Sequence, residues 1–174
     1  MRKKIRNLYH HLCTISYHKY LVMRYCFALN LYIQGLLHDL SKYSLIELKT
    51  GMNYYAGYCS PIDLEKKEKG YSECFLHHKG RNKHHFDYWI DRNKDGMYSI
   101  EMPKKYVKEM LCDRIAATQV YLKDQFYDGA AYDYLKKGYD KEYMHPNTYQ
   151  LIESYLLIIK NEGIKKGLQR IKSL

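Results

Sequence analysis

Four residues of metal-binding types occur in order along the chain: His18, the adjacent pair His38-Asp39, and Asp113. Imidazole nitrogens and carboxylate oxygens together suit manganese, iron, cobalt, nickel or zinc. Two carboxylates balance the charge of one divalent cation, which makes its burial tolerable. We therefore expect these four side chains to hold a divalent transition metal. A bound ion with open positions lowers the pKa of water and supplies hydroxide near neutral pH.

Each of these residues also has an explanation without a metal. His18 could be a hydrogen-bonded core histidine. Asp113 lies in the apolar stretch 110–117, where an unpaired carboxylate would be costly, so it could instead pair with Arg114 or Arg81. We favour metal binding because the ordered set needs both residues. His10 and His11 lie near the basic amino terminus, and we expect them at the surface.

Two further pairs of histidines, His77-His78 and His84-His85, flank the segment 79–83. Residues seven apart are close to two helical turns apart, so one member of each pair could share a face. Gly80 could instead break the helix and fold the two pairs together. We expect His78 to be an extra ligand or part of a second metal site, so that one or two ions bind. His84 or His85 would assist proton transfer.

Positive and polar side chains lie beside these histidines. Lys42 is three residues beyond Asp39, which predicts that it shares the helical face of the His38-Asp39 pair. It would either face a substrate phosphate or form an ion pair with Asp39. Arg81, Asn82 and Lys83 follow Gly80 and predict a phosphate-binding turn, because arginine can bind phosphate with two parallel hydrogen bonds. An ordinary basic turn would have the same composition.

The charge of the chain favours an anionic partner. Lysine and arginine number 29 against 19 aspartates and glutamates, for a net charge of +10. This excess predicts a phosphate-containing small molecule and leaves nucleic acid open. Both termini carry much of the excess, so a solvated basic surface explains it equally well.

The cysteines and the hydropathy pattern indicate a cytoplasmic protein. The five cysteines are odd in number, widely spaced and without a CxxC pair, which favours reduced thiols. No apolar run approaches the length that spans a bilayer, so we expect no membrane partner.

Apolar periodicity predicts a helical chain that would bring the metal-binding residues together. The predicted helices are at about 5–29, 31–42, 45–55, 73–78, 84–90, 103–126 and 146–163, where Gly163 should stop the last one. We expect a loop at 57–70 because of Gly57, Ser60, Pro61 and Gly70. The sequence thus predicts one all-α compact bundle over residues 1–174. The broad apolar face of the last helix would pack on this domain or form a homodimer.

The segment 91–102 is predicted to be irregular, and no sheet is predicted. Residues 91–96 copy the start of a calcium-binding loop. Met102 stands at the twelfth position, where such a loop requires glutamate, and Pro103 follows. We therefore interpret the segment as a glycine-containing turn.

The ordered metal-binding set resembles that of the HD superfamily of metal-dependent phosphohydrolases, in which a His, a His-Asp pair and a distant Asp all lie on helices. The run His38-Asp39-Leu40-Ser41-Lys42 is similar to the His-Asp-x-x-Lys form of that motif, and the resemblance covers roughly residues 10–120. It implies an HD-type bundle that hydrolyses a nucleotide or other phosphate ester with metal-activated water. The same scaffold with two irons would support oxygenase chemistry, and a non-catalytic nucleic-acid-binding protein is the other alternative.

The blocks GLLHDLSKYS, HHKGRNKHHFDYW and MPKKYVKEMLCDRIAA are also similar to a bacterial and phage family known only as a domain of unknown function. This resemblance runs nearly end to end and implies no reaction. The additional histidines of two-metal HD proteins lie well apart in sequence, whereas His78 and His85 are only seven residues apart.

Overall fold

The computed structural model describes residues 1–174 and is mostly helical. Its nine α-helices are α1 (Arg2–Ala28), α2 (Tyr32–Leu37), α3 (Leu45–Tyr54), α4 (Pro61–Lys69), α5 (Glu73–Lys79), α6 (Lys104–Leu122), α7 (Ala130–Lys137), α8 (Asp140–Tyr143) and α9 (Pro146–Ser173). Single turns of 3-10 helix lie at Leu40–Tyr43, Phe86–Trp89 and Lys123–Gln125. The all-α prediction is confirmed.

The hydrophobic core is a cluster of 22 buried residues built mainly from α1, α6 and α9. Val22 of α1, Leu111 of α6 and Ile152 of α9 are fully buried within it. Each such side chain stabilises the fold by about 1.5–3 kcal/mol relative to exposure. Helix α6 packs against both α1 and α9. Glu109 and Asp113 are four residues apart, so they lie together on a further face of α6.

Helix α1 also has a buried polar stripe, whose amino-terminal part faces α3. Asn7, His11 and His18 are buried on this side of α1, and the Asn7 side-chain amide donates to the carbonyl of Met52. His10 is exposed as expected, whereas the expectation that His11 is at the surface was wrong. His11 is buried because Gly51 of α3 lets the two helices approach closely at its ring.

The segment predicted as the loop 57–70 contains helix α4. Ser60 caps it by accepting a hydrogen bond from the Ile62 amide, Pro61 occupies its first turn, and Gly70 ends it with a φ of 81°. Its sequence PIDLEKKEK is too highly charged to show apolar periodicity, which explains why the pattern was missed.

The segment predicted as irregular contains a small hairpin. Strands β1 (Ile90–Asn93) and β2 (Gly96–Ser99) pair antiparallel, with Lys94 and Asp95 at the turn. The prediction of a glycine-containing turn is confirmed, and the expectation of no sheet was wrong at this hairpin. Met102, at the position where a calcium loop needs its glutamate, is buried in the core.

Other boundaries differ more locally. The helix predicted at 84–90 is reduced to the 3-10 turn at Phe86–Trp89. Gly163 interrupts α9 with a φ of 78°, but helical geometry resumes after it and continues to Ser173. None of the helices combines the length and the apolar composition needed to cross a membrane.

Candidate metal centre

The His38-Asp39 pair lies in a sharp backbone turn and not within a helix. Helix α2 ends at Leu37, His38 is extended, and Asp39 is left-handed with a φ of 52°, so the predicted helix 31–42 is broken here. Aspartate tolerates this conformation better than most residues. The ammonium of Lys19 donates to the carbonyls of Leu36 and His38, at 2.7 Å each, and holds the turn against α1. The turn lets two adjacent side chains point to the same place.

The four residues predicted as ligands converge there. Nε2 of His38 lies 3.2 Å from Oδ2 of Asp39 and 3.4 Å from Oδ1 of Asp113. Nε2 of His18 lies 3.0 Å from the same Asp113 oxygen and 3.8 Å from Oδ2 of Asp39. Neighbouring ligand atoms about 2.1 Å from one ion are about 3.0–3.4 Å apart in octahedral or tetrahedral geometry. The spacing of these side chains therefore suits a single divalent cation.

A second group lies on the other side of Asp39. Its Oδ1 is 3.3 Å from Nε2 of His78 and 3.4 Å from Nε2 of His84. One ligand atom each of Asp39, His78, His84 and His85 lies within 4.8 Å of the others. The chain turns back after Gly80, so His78 meets His84 and His85, with 4.8 Å between the ring centroids of His78 and His85. Asp39 thus offers one oxygen to each group.

Several atoms that point into these groups lack hydrogen-bond partners. Nε2 of His38, Nε2 of His84 and Oδ1 of Asp39 are buried and make no hydrogen bond, and Oδ2 of Asp39 has only its ion pair with Lys42. Leaving a buried polar group unpaired costs about 1–3 kcal/mol, and more for a charged group. The unpaired atoms coincide with the proposed ligand atoms, so the residues present fit a metal.

Two buried glutamates hold the histidines in place from outside. Oε1 of Glu109 is 3.0 Å from Nδ1 of His38 and 3.2 Å from Nδ1 of His84. Glu47 pairs with Nδ1 of His77 at 2.8 Å and with Nδ1 of His78 at 2.9 Å. A carboxylate behind Nδ1 turns Nε2 of the ring towards a metal and makes it a better ligand. Sequence reasoning missed both glutamates.

The protonation states suit metal binding at Asp39, Asp113 and His18. At His38 the effect of burial is outweighed by Asp39, Asp113 and Glu109, which raise the pKa of this ring well above its usual value. Burial opposes ionisation of Asp39 and Asp113, but the neighbouring histidines, with Lys42 beside Asp39, hold the pKa of each carboxyl well below its usual range. Burial lowers the pKa of His18 to about 4, so this ring is neutral at pH 7. Burial also opposes charge on His78, but Asp39 and Glu47 outweigh it and raise the pKa of His78 to about 9. A cation that binds His78 would therefore displace a proton.

Lys42 lies at the edge of the cluster. Its Nζ makes an ion pair with Oδ2 of Asp39 at 2.6 Å. The residue belongs to the 3-10 turn after Asp39, so it does not share a continuous helix face with His38 as predicted. It also lines the adjacent cavity, so both roles considered for it from the sequence are compatible with its position.

The residues of the predicted phosphate-binding turn do not lie together beside the cluster. Arg81 and Lys83 are exposed, and neither lines the cavity beside the cluster. Asn82 is buried and donates to the Ser41 hydroxyl and to the carbonyl of His78, each at 2.8 Å. Its side chain is therefore used to hold the turn that carries the second histidine pair. The suggested pairing of Asp113 with Arg114 or Arg81 is absent, because Arg114 pairs with Asp140.

A cavity of about 700 Å³ adjoins the cluster. His18, His78, His84, His85 and Asp113 form one wall, and α4, α6 and α7 form the others. Pockets of roughly 300–1,000 Å³ are typical for small organic ligands. The arrangement places metal-binding atoms beside a space that a small molecule can fill.

The comparisons with known proteins identify a family and no activity. No curated protein and no solved structure matches this chain. Residues 7–158, which include every residue of the metal-binding groups, match the family described as a family of unknown function, DUF5662. This span is most of the chain, so the protein belongs to that family.

Proposed function

We propose that this protein is a metal-dependent phosphohydrolase that acts on a small phosphate ester. The observation that carries the proposal is the set of buried atoms of His38, Asp39 and His84 that make no hydrogen bond, in a cluster that adjoins a ligand-sized cavity. The spacing of the two groups around Asp39 supports two ions. When bound, such ions polarise a phosphoryl oxygen and make hydroxide available near neutral pH.

Lys42 is the residue we assign to the phosphate. Its ammonium lines the cavity beside Asp39, and Asp39 and Asp113 outweigh the effect of burial to raise its pKa, so it stays charged. A charge fixed there would offset the negative charge that phosphate brings into a buried site.

His85 is the candidate for proton transfer. It lines the cavity, and burial together with the neighbouring His84 and His78 holds its pKa well below the usual value. The ring is therefore neutral, and one of its nitrogens can accept a hydrogen bond from the attacking water while the other donates one to the leaving group. Nδ1 of His84 contacts Glu109, and its Nε2 faces Asp39. This arrangement suits a metal ligand better than a group that transfers protons.

Membership of the HD superfamily is part of this proposal. The order His18, His38-Asp39, Asp113 resembles that motif, and the arrangement of these residues around one point supports the resemblance. A cytoplasmic location also stays a prediction, and the five free thiols are consistent with it.

The test is metal analysis and phosphatase assay of protein purified without chelator. We expect bound transition metal, and hydrolysis of 4-nitrophenyl phosphate that chelator abolishes and added manganese, iron, cobalt, nickel or zinc restores. Asp39→Asn should remove both metal and hydrolysis, whereas His10→Asn, at an exposed position on α1, should remove neither. Hydrolysis that survives in Asp39→Asn or in the metal-free protein would overturn the proposal.

A redox enzyme is the second candidate, because the two groups sharing Asp39 would also suit two irons. A visible absorption band from bound iron and a reaction that requires oxygen would favour it. Binding of nucleic acid through the basic surface is the non-catalytic alternative. Salt-sensitive binding that is unchanged in Asp39→Ala would support that function.

A further inference from the structure

His11 is a buried polar residue in the cavity that the proposed reaction does not use. Its exposed fraction is 8%, it lines the cavity, and its Nδ1 makes no hydrogen bond. It precedes His18 by seven residues on α1, and the helical rise places it about 10 Å from the metal-binding groups. His11 and His18 therefore mark two polar points along one wall.

The ring of His11 is closely packed. A Cβ at position 51 would overlap the ring, so the glycine of α3 is what makes room for it. The ring of Tyr55 lies edge-on to it, with 6.1 Å between centroids. Burial lowers the pKa of His11 to about 4, so the imidazole is neutral at pH 7 and can donate with one nitrogen and accept with the other.

Apolar and charged side chains both line the cavity near these two points. Ile15 lies between His11 and His18 on α1, and the cavity is also lined by Phe75, Met110 and Tyr121 and by the charged side chains of Lys42 and Glu47. A bare phosphate would fill only the end beside the metal-binding groups. A molecule that fills the length of the cavity needs an apolar part and a second polar group.

We infer that the substrate is a phosphate ester whose organic part is mainly apolar and carries a hydroxyl or amide about 10 Å from phosphorus, hydrogen-bonded to His11. This inference rests on the proposed function, which places the phosphate at the metal-binding groups. A buried, unpaired nitrogen is costly without a ligand, so such a hydrogen bond adds both affinity and selectivity.

The test uses non-hydrolysable phosphonates and metal-loaded protein, with binding measured by calorimetry. Alkylphosphonates of increasing chain length are compared with ω-hydroxyalkylphosphonates of the same length. For short chains, we expect the hydroxyl to weaken binding or leave it unchanged. For chains long enough to reach His11, we expect the hydroxyl to tighten binding. The gain should be about three- to tenfold, which is the effect of one neutral hydrogen bond.

The matched variants are His11→Phe, which keeps a ring and removes both nitrogens, and His10→Phe at the neighbouring exposed position. The gain from the hydroxyl should vanish in His11→Phe and persist in His10→Phe, with metal content unchanged in both. If His11→Phe does not fold, the chain-length comparison in the unsubstituted protein decides alone. Phosphonates that bind only with metal but show no hydroxyl gain at any length would overturn the inference and leave the proposed function standing. Absence of any metal-dependent phosphonate binding would instead overturn both.

Discussion

Oε1 of Glu109 lies 3.0 Å from Nδ1 of His38, on the side of the ring opposite the Asp39 carboxylate. Since the same oxygen also faces Nδ1 of His84, one buried glutamate orients one histidine from each metal-binding group. We predict that Glu109→Gln lowers metal affinity about 10- to 100-fold, as loss of such carboxylates does elsewhere. A competition titration with a coloured chelator measures the change.

The control for this prediction is Glu142→Gln, which removes a carboxylate at an exposed position of α8. Its affinity for metal should equal that of the unsubstituted protein. Equal affinity in Glu109→Gln would show that the glutamate does not orient the ligands.

The two groups predict two ions per chain, and single substitutions should remove them separately. Asp113→Ala should lose the ion held with His18 and His38, and His78→Ala should lose the other, leaving about one ion per chain in each variant. Asp39→Ala should lose both because its carboxylate belongs to both groups. Mass spectrometry of metal in gel-filtered protein gives the counts. Two ions retained in both Asp113→Ala and His78→Ala would rule out these groups as the sites.

Metal should stabilise the fold, because the ligands come from α1, the turn after α2, α5 and α6 together. An ion at 100 times its dissociation constant adds about 2.7 kcal/mol to the free energy of unfolding. For a chain of this size we expect the melting temperature to rise by roughly 5–10 °C. Thermal unfolding with chelator and with added manganese or zinc measures this shift. A melting temperature that does not respond to any of these metals would contradict the prediction.

Glu65 supports the wall of the cavity and gives a prediction about pH. Its carboxylate is 3% exposed, accepts from Ser72 at 2.6 Å and pairs with Lys69 at 2.9 Å, so it ties α4 to the start of α5. Burial opposes its ionisation, but Ser72 and Lys69 prevail and lower the pKa of Glu65 below the usual 4.5. The stabilisation is therefore present above pH 4.5 and lost as the pH falls through the lower, folded-state pKa.

Replacing this carboxylate tests the sign of that dependence. Glu65→Gln should lower the free energy of unfolding by roughly 1–3 kcal/mol at pH 7. The difference from the unsubstituted protein should shrink as the pH falls below 4.5, where the native carboxyl also becomes neutral. Urea unfolding at several pH values measures it. A difference that grows on acidification would mean that the pKa of Glu65 is raised in the folded protein.

The long helices of this fold could be predicted because their apolar residues recur at helical spacing. This holds for α1, α6 and the first part of α9. Helix α4 could not be found in this way, because most of its residues are exposed and few are apolar. The pair Ser60-Pro61 is nevertheless a helix-start signal, and it was interpreted as a break in the chain.

The ligand residues could be predicted, but the way they converge could not. No sequence signal requires Asp39 to adopt a left-handed backbone, and this turn is what brings it together with His38. Glu47 and Glu109 look like ordinary charged positions on helices. Glu109 precedes Asp113 by four residues, so it must share the helix face of that ligand, and this spacing is the signal that would have found it.

The carboxylate of Asp39 turns one oxygen to His38 and the other to His78 and His84. Two cations that share this carboxylate would repel each other. The first cation to bind would also fix the carboxylate in the orientation that the second cation requires. Loading of the two positions is therefore linked, and by thermodynamic reciprocity each ion changes the affinity of the other by the same factor. A protein exposed to a mixture of metals would select its second ion according to the identity of its first.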